Sequence, residues 1–116
     1  MVKLINRLSW HRKNLYWLPE IIAKIRELAC QGMVGFTIKA FEELKAIDLG
    51  LNAMDVCNIL EELNESDFAE VITSVITGEK LYVFIPNVAG IEIYMKLVIR
   101  QNCVVISFHE DQKNEN

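Results

Sequence analysis

From Ile91 to His109 the chain reads IEIYMKLVIRQNCVVISFH, two runs of alternating side chains joined by Gln101-Asn102. A period of two held over nine residues belongs to a strand with one buried face, and a polar dipeptide between two such runs reads as a hairpin. Whatever else this chain does, it must build a sheet around this pair. Ile91, Ile93, Met95, Leu97 and Ile99 share one face of the first run, and Glu92, Tyr94, Lys96, Val98 and Arg100 share the other. In the second run the alternation predicts Val104, Ile106 and Phe108 toward the core, with Cys103, Val105, Ser107 and His109 on the polar side. A two-residue turn would oppose Arg100 to Cys103, Val98 to Val105, Lys96 to Ser107 and Tyr94 to His109. A three-residue turn would change these partners.

The segments before this hairpin alternate with other periods. Leu18, Ile21, Ile22, Ile25, Leu28 and Ala29 form a stripe at helical spacing, with Pro19 in the first turn and Gly32 at the stop. Thr37 caps a predicted helix over 38–48 with Phe41, Leu44 and Ile47 inward, and Asn52 caps a third carrying Val56, Ile59, Leu60 and Leu63. Strands are expected near 68–75 and 80–85, and PNVAG turns the second of these into the hairpin. Helices first and strands afterwards predict an α+β fold, N-terminal helices packed on one face of an antiparallel sheet. At 116 residues and 52% apolar, the chain reads as one domain over 1–116, with a mobile tail at 110–116.

No apolar run approaches a membrane span and the first residues lack a secretory pattern, so the cytoplasm is the default location. Cys30, Cys57 and Cys103 are odd in number and far apart, which favours buried reduced thiols over a metal site or a disulfide. Charge is unevenly spread. Residues 1–14 carry Lys3, Arg7, Arg12 and Lys13 and no acid, whereas the whole chain has a net charge of −4. That balance gives no general nucleic-acid footprint, so a polyanion would have to be held by a local cluster. The basic extension interleaves Trp10, His11 and Trp17 with its cations. Such a segment either clamps single-stranded RNA or staples the first helix to the domain.

Opposed side chains in a strand pair lie about 5 Å apart at Cβ, so Tyr94, His109, Lys96 and Ser107 form a compact patch. The patch carries the chemistry for cutting RNA without a metal or other cofactor. A 2′-hydroxyl attacks the adjacent phosphate, a second group protonates the departing 5′-oxygen, and a fixed cation steadies the phosphorane. An imidazole serves as the acid, an ammonium as the cation, and a phenol orients the phosphate. On spacing alone, the same residues also read as the ordinary polar face of a sheet.

The order of further motifs adds to this. DLGLNAMDVCNILEELNESDFAEVI, LYVFIP, IYMKLVI and VVISFHED follow one another over roughly residues 48–110. In these the chain resembles the MqsR family of mRNA interferase toxins, within the RelE-like ribonuclease group. The resemblance implies a metal-independent endoribonuclease that cuts messenger RNA and is blocked by a cognate antitoxin carrying a helix-turn-helix domain. It matches Tyr94 and Lys96 to the family's Y-x-K strand, with Tyr94 as the active-site tyrosine. His109 and Glu70 fall where better-known members carry lysines, and the family's W-Q-D segment has no counterpart in GEKLYVF. One implied reading is a rewired site: Glu70 as base, His109 as acid, Lys96 with Lys80 or Arg100 as phosphate clamps, and Ser107 against the RNA. The other is a lapsed nuclease that survives as a protein-binding module. For Glu70, Lys80 and Arg100 a solvated surface role is the competing interpretation.

Overall fold

A computed structural model describes residues 15–112; the basic extension 1–14 with Trp10 and His11 lies outside them, whereas Trp17 packs against Phe68 and Tyr82 at the start of the first helix. Helix α1 (Leu18–Cys30) begins with proline in its first turn and buries Leu18, Ile22, Ile25, Leu28 and Ala29. Strand β1 (Val34–Phe36) follows, and Thr37 then caps α2 (Ile38–Ala46), its side chain accepting from the Ala40 N–H at 3.1 Å. Helix α3 (Ala53–Glu61) opens with a reciprocal capping box, in which Asn52 and Asp55 each accept the other's backbone N–H at 2.9 Å. Five more strands complete the chain: β2 (Phe68–Thr73), β3 (Lys80–Phe84), β4 (Asn87–Val88), β5 (Ile91–Ile99) and β6 (Cys103–Glu110).

The sheet runs β1-β6-β5-β3-β2, with β4 paired to β5 off this path. Every pairing is antiparallel except β1 with β6, which is parallel. The α+β expectation therefore holds, with one strand added. A three-residue strand such as VGF is too short to show a period, and its parallel partner is about 70 residues away. Leu18, Ile25, Leu44 and Leu60 from the helices meet Phe84, Met95, Leu97 and Phe108 from the sheet in one buried cluster. Each such side chain withdrawn from water contributes about 1.5–3 kcal/mol.

Two expectations about facing are corrected. Phe41, predicted inward, is 43% exposed. Ala40 and Leu44 make the buried side of α2, and Phe41 lies on its flank, edge-on to Phe36 and under the Lys45 ammonium. In the hairpin Ile99 opposes Cys103, so the turn has three residues, Arg100 to Asn102. Val98 therefore faces Val104, not Val105, and Arg100 does not face Cys103. Cys103 and Val105 are fully buried in the core, while Val104 and Ile106 stand on the other face. A β-bulge between the Lys96–Ser107 and Leu97–Val105 pairs then leaves Ile106 as an extra residue. Beyond it the register returns to the predicted one, with Phe108 inward and Tyr94 opposite His109. The strand runs on through Glu110, and Asp111 donates its N–H to the Glu92 carbonyl, so the ordered hairpin reaches into what the sequence suggested as tail.

Candidate active site

The outer end of the β5–β6 pair gathers four polar side chains. Tyr94 and His109 are direct partners and their rings stack, 5.0 Å between centroids and 9° from parallel. The His109 Nδ1 lies 2.8 Å from the Glu110 carbonyl oxygen. A carbonyl only accepts, so Nδ1 carries the proton and donates, which leaves Nε2 as the ring nitrogen available for chemistry. Two residues along, Lys96 opposes Ser107. Among the seven residues singled out from the sequence, Tyr94, Lys96, Ser107 and His109 are brought together.

Helix α2 brings two further groups that sequence reasoning missed. It docks along the edge of β6, where Thr37 donates its backbone N–H to Val105 and its hydroxyl to the Ile106 carbonyl. From there Lys39 donates from Nζ to the Ser107 hydroxyl at 3.2 Å. Glu43 accepts the Phe108 backbone N–H at 2.9 Å and pairs with Lys39 at 3.0 Å. Partial burial pushes the Glu43 carboxyl up, but the Phe108 N–H, the Lys39 ammonium and the field of His109 outweigh it and hold it below the ordinary carboxylate range. Glu43 also closes the exposed edge of β6, which β1 covers only as far as Val105. The one local signal for these residues was the Thr37 cap, which fixes where the helix starts but not what it docks against.

The remaining candidates are dispersed. Glu70 pairs with Val83, Val83 with Lys96, and Lys96 with Ser107, so a single cross-strand row joins Glu70 to the patch. With strands about 4.8 Å apart, the backbone at Glu70 is about 10 Å from that at Lys96, with buried Val83 between them. Lys80 lines a cavity of about 240 Å³ with Trp17, Ile21, Val71 and Tyr82, on the helix-covered side of the sheet. Arg100 sits at the far end of β5 and makes a bidentate bond to Glu79, 2.9 Å on each arm. That guanidinium holds the Glu79 carboxyl below its usual range. Among the described residues no three His, Cys, Asp or Glu side chains are grouped to hold a metal ion, and no helix is long and apolar enough to cross a membrane.

This arrangement can grip a phosphate and move a proton. A cation, an oriented imidazole and a phenol share one surface above the buried Ser107 hydroxyl, with a carboxylate at the far end of the row. Comparison with known proteins gives a family for the fold that carries this patch. The profile of a family described as motility quorum-sensing regulator, toxin of MqsA, matches residues 18–110. The mRNA interferase toxin MqsR of Escherichia coli (strain K12) is 28% identical over 91 residues, which is 77% of this chain and 90% of that relative.

Proposed function

Since the chain belongs to the MqsR toxin family, we propose that it is a metal-independent endoribonuclease that cuts messenger RNA by attack of a 2′-hydroxyl on the adjacent phosphate. As a member of that family it is the toxin half of a toxin–antitoxin pair. The antitoxin is a protein with a helix-turn-helix domain, and the toxin acts in the cytoplasm, where its substrate is. The observation that carries this reading is the stacked Tyr94–His109 pair set beside Lys96 on one face of the sheet.

Lys96 and the Ser107 hydroxyl take the non-bridging oxygens of the scissile phosphate and oppose the charge that builds on the phosphorane. Glu70 takes the proton from the 2′-hydroxyl. His109, entering the step as the imidazolium with both ring nitrogens protonated, gives the Nε2 proton to the departing 5′-oxygen and keeps the Nδ1 proton on the Glu110 carbonyl. The bond from phosphorus to the 2′-oxygen forms as the bond to the 5′-oxygen breaks. Products are a 2′,3′-cyclic phosphate and a 5′-hydroxyl end. Tyr94 keeps the imidazole in plane and orients the phosphate. Attack and departure occur on opposite sides of phosphorus, and Lys96 stands between the carboxylate and the imidazole in the order this requires. Lys80 and Arg100 have no part in this scheme, the first turned to the helix side and the second held by Glu79.

A second reading, a lapsed nuclease that only binds its antitoxin, is favoured by the carboxylate at Glu70, where the resemblance implies a lysine. Purified protein incubated with RNA in the presence of EDTA separates the two. The enzyme yields fragments ending in cyclic phosphate, and His109→Ala and Tyr94→Ala abolish them. Intact RNA with wild-type protein, together with unimpaired growth of a bacterial host on induction, would leave only the binding module.

A further inference from the structure

We propose that Lys39, in the first turn of α2, is a phosphate-gripping residue of this same site, held in position by Glu43 until RNA arrives. The proposal rests on the ribonuclease reading and adds to it a cation that the hairpin does not contain. Lys39 and Lys96 reach Ser107 from two sides: Lys96 as its cross-strand partner, Lys39 through the hydrogen bond to its oxygen. Ser107 is 4% exposed, but the Lys39 side chain is 63% exposed, so one end of the ammonium's surroundings is fixed and the other is open to a ligand. The Ser107 oxygen accepts from Lys39, which leaves its hydroxyl proton to donate to a phosphate oxygen.

Local helix energetics do not explain a lysine here. The first turn of a helix carries partial positive charge and disfavours cations, and α2 has no acidic residue in that turn. A Lys four residues before a Glu is also the weaker order of an i,i+4 pair. The position therefore runs against two local preferences at once, as functional positions do. Glu43 makes the arrangement specific. One carboxylate oxygen is pinned by the Phe108 N–H, so the other presents Lys39 at a fixed place beside the patch. An incoming phosphate dianion or diester competes with that oxygen for the ammonium, and Lys39 passes from the carboxylate to the ligand without leaving Ser107. The site then opposes two lysines and an imidazole to the backbone of the RNA, in a chain whose net charge is −4 with those lysines included.

The test uses the full chain with two RNA probes: a cleavable oligonucleotide, and the same sequence with a 2′-deoxy sugar at the scissile position. Lys39→Gln is compared with Lys39→Arg and with Lys45→Gln, which removes the same charge from the flank of α2 where Lys45 lies over Phe41. Lys39→Gln is expected to weaken binding of the deoxy probe about tenfold and to raise KM with kcat little changed. It should also flatten the slope of log Kd against log salt by about 0.7, the loss of one single-strand phosphate contact. Lys39→Arg restores most of the binding, and Lys45→Gln behaves as wild type. If wild type cleaves and Lys39→Gln matches Lys45→Gln in Kd, KM and salt slope, Lys39 is a helix-surface pair and the proposal is overturned alone. If wild type neither binds nor cleaves, the ribonuclease reading has failed and takes the proposal with it. Binding without cleavage sinks only the catalytic reading, and the salt slopes still decide Lys39.

Discussion

The rings of Tyr94 and His109, on neighbouring strands, lie 9° from parallel with their centroids 5.0 Å apart. This is the offset-stacked geometry that aromatic pairs prefer, so each ring holds the other's plane. The imidazole is further tied by its Nδ1 to the Glu110 carbonyl. An imidazole fixed on two sides would lose little entropy in the proposed role of acid to a leaving group.

Substitutions at the pair should therefore separate orientation from chemistry. His109→Ala removes the proposed acid and is expected to lower kcat/KM by about 10²–10⁴-fold. Tyr94→Phe keeps the stack and loses only the hydroxyl, so its loss should be clearly smaller than that of Tyr94→Ala. Single-turnover cleavage of a short RNA measures all three. Equal losses for Tyr94→Phe and Tyr94→Ala would assign the whole effect to the phenolic oxygen and none to the stack.

The bulge at Ile106 makes a stability prediction opposite to that of a regular hairpin. Val105 is fully buried and packs in the core, while Val104 is only half-buried on the other face. Val105→Ala should cost about 2 kcal/mol, near the low end of large-to-small core losses, and Val104→Ala under about 1 kcal/mol. Urea denaturation of the two variants reads the difference. The reverse order would restore the uninterrupted alternation.

Those two residues also show what the sequence conveyed and what it did not. Alternation from Ile91 to Ile99 was enough to put Tyr94 and Lys96 on the face away from the helices, because one strand's parity is local. Parity across the turn is not local. The loop is one residue longer than Gln101-Asn102 suggested, and Ile106 is one residue extra, so the two departures cancel beyond Lys96. The site pairs came out as expected although the pairs nearer the turn did not. A bulge leaves no mark in VVIS, since every residue there suits a strand. Lys80 was more legible than it first looked: it shares parity with Tyr82 and Phe84, and so faces the helices. Lys39 and Glu43 had no such signal. Their place depends on α2 docking at the edge of β6, a contact between residues about 65 positions apart.

Glu43 joins stability to pH through that same contact. Its carboxyl is held below the ordinary range in the folded protein, so its contribution is present above the unfolded pKa of about 4.3 and is lost as pH falls through the folded value. Glu43→Gln preserves the shape and an acceptor for the Phe108 N–H but not the charge. The variant should be less stable than wild type by about 1 kcal/mol at pH 7, the difference between a charge-assisted hydrogen bond to backbone and a neutral one. The gap should close only as pH falls through the lowered folded value, below the ordinary carboxylate range, where the wild-type carboxyl itself takes up a proton. Denaturant midpoints at pH 7, 5 and 3.5 follow it. A gap that stays constant with pH would mean the charge contributes nothing and only the packing of the side chain matters.

The three thiols should report the burial pattern by their reactivity. Cys30 is exposed at the end of α1, contrary to the expectation of a buried thiol, whereas Cys103 is buried at the start of β6. Burial, aided by the neighbouring Cys57, pushes the Cys103 thiol up to about 12, and burial with the nearby Glu61 also raises Cys57. Only the thiolate attacks an alkylating reagent. At pH 8 a thiol of that pKa is ionised in roughly one molecule in 10⁴, and its sulfur is also closed to the reagent. Iodoacetamide labelling followed by peptide mass spectrometry should therefore modify Cys30 first and Cys57 more slowly. Cys103 should be labelled only at the rate of unfolding, and brought to the rate of Cys30 by urea. Labelling of Cys103 in native protein as fast as Cys30 would place it on the outer face, as the unbulged alternation had it.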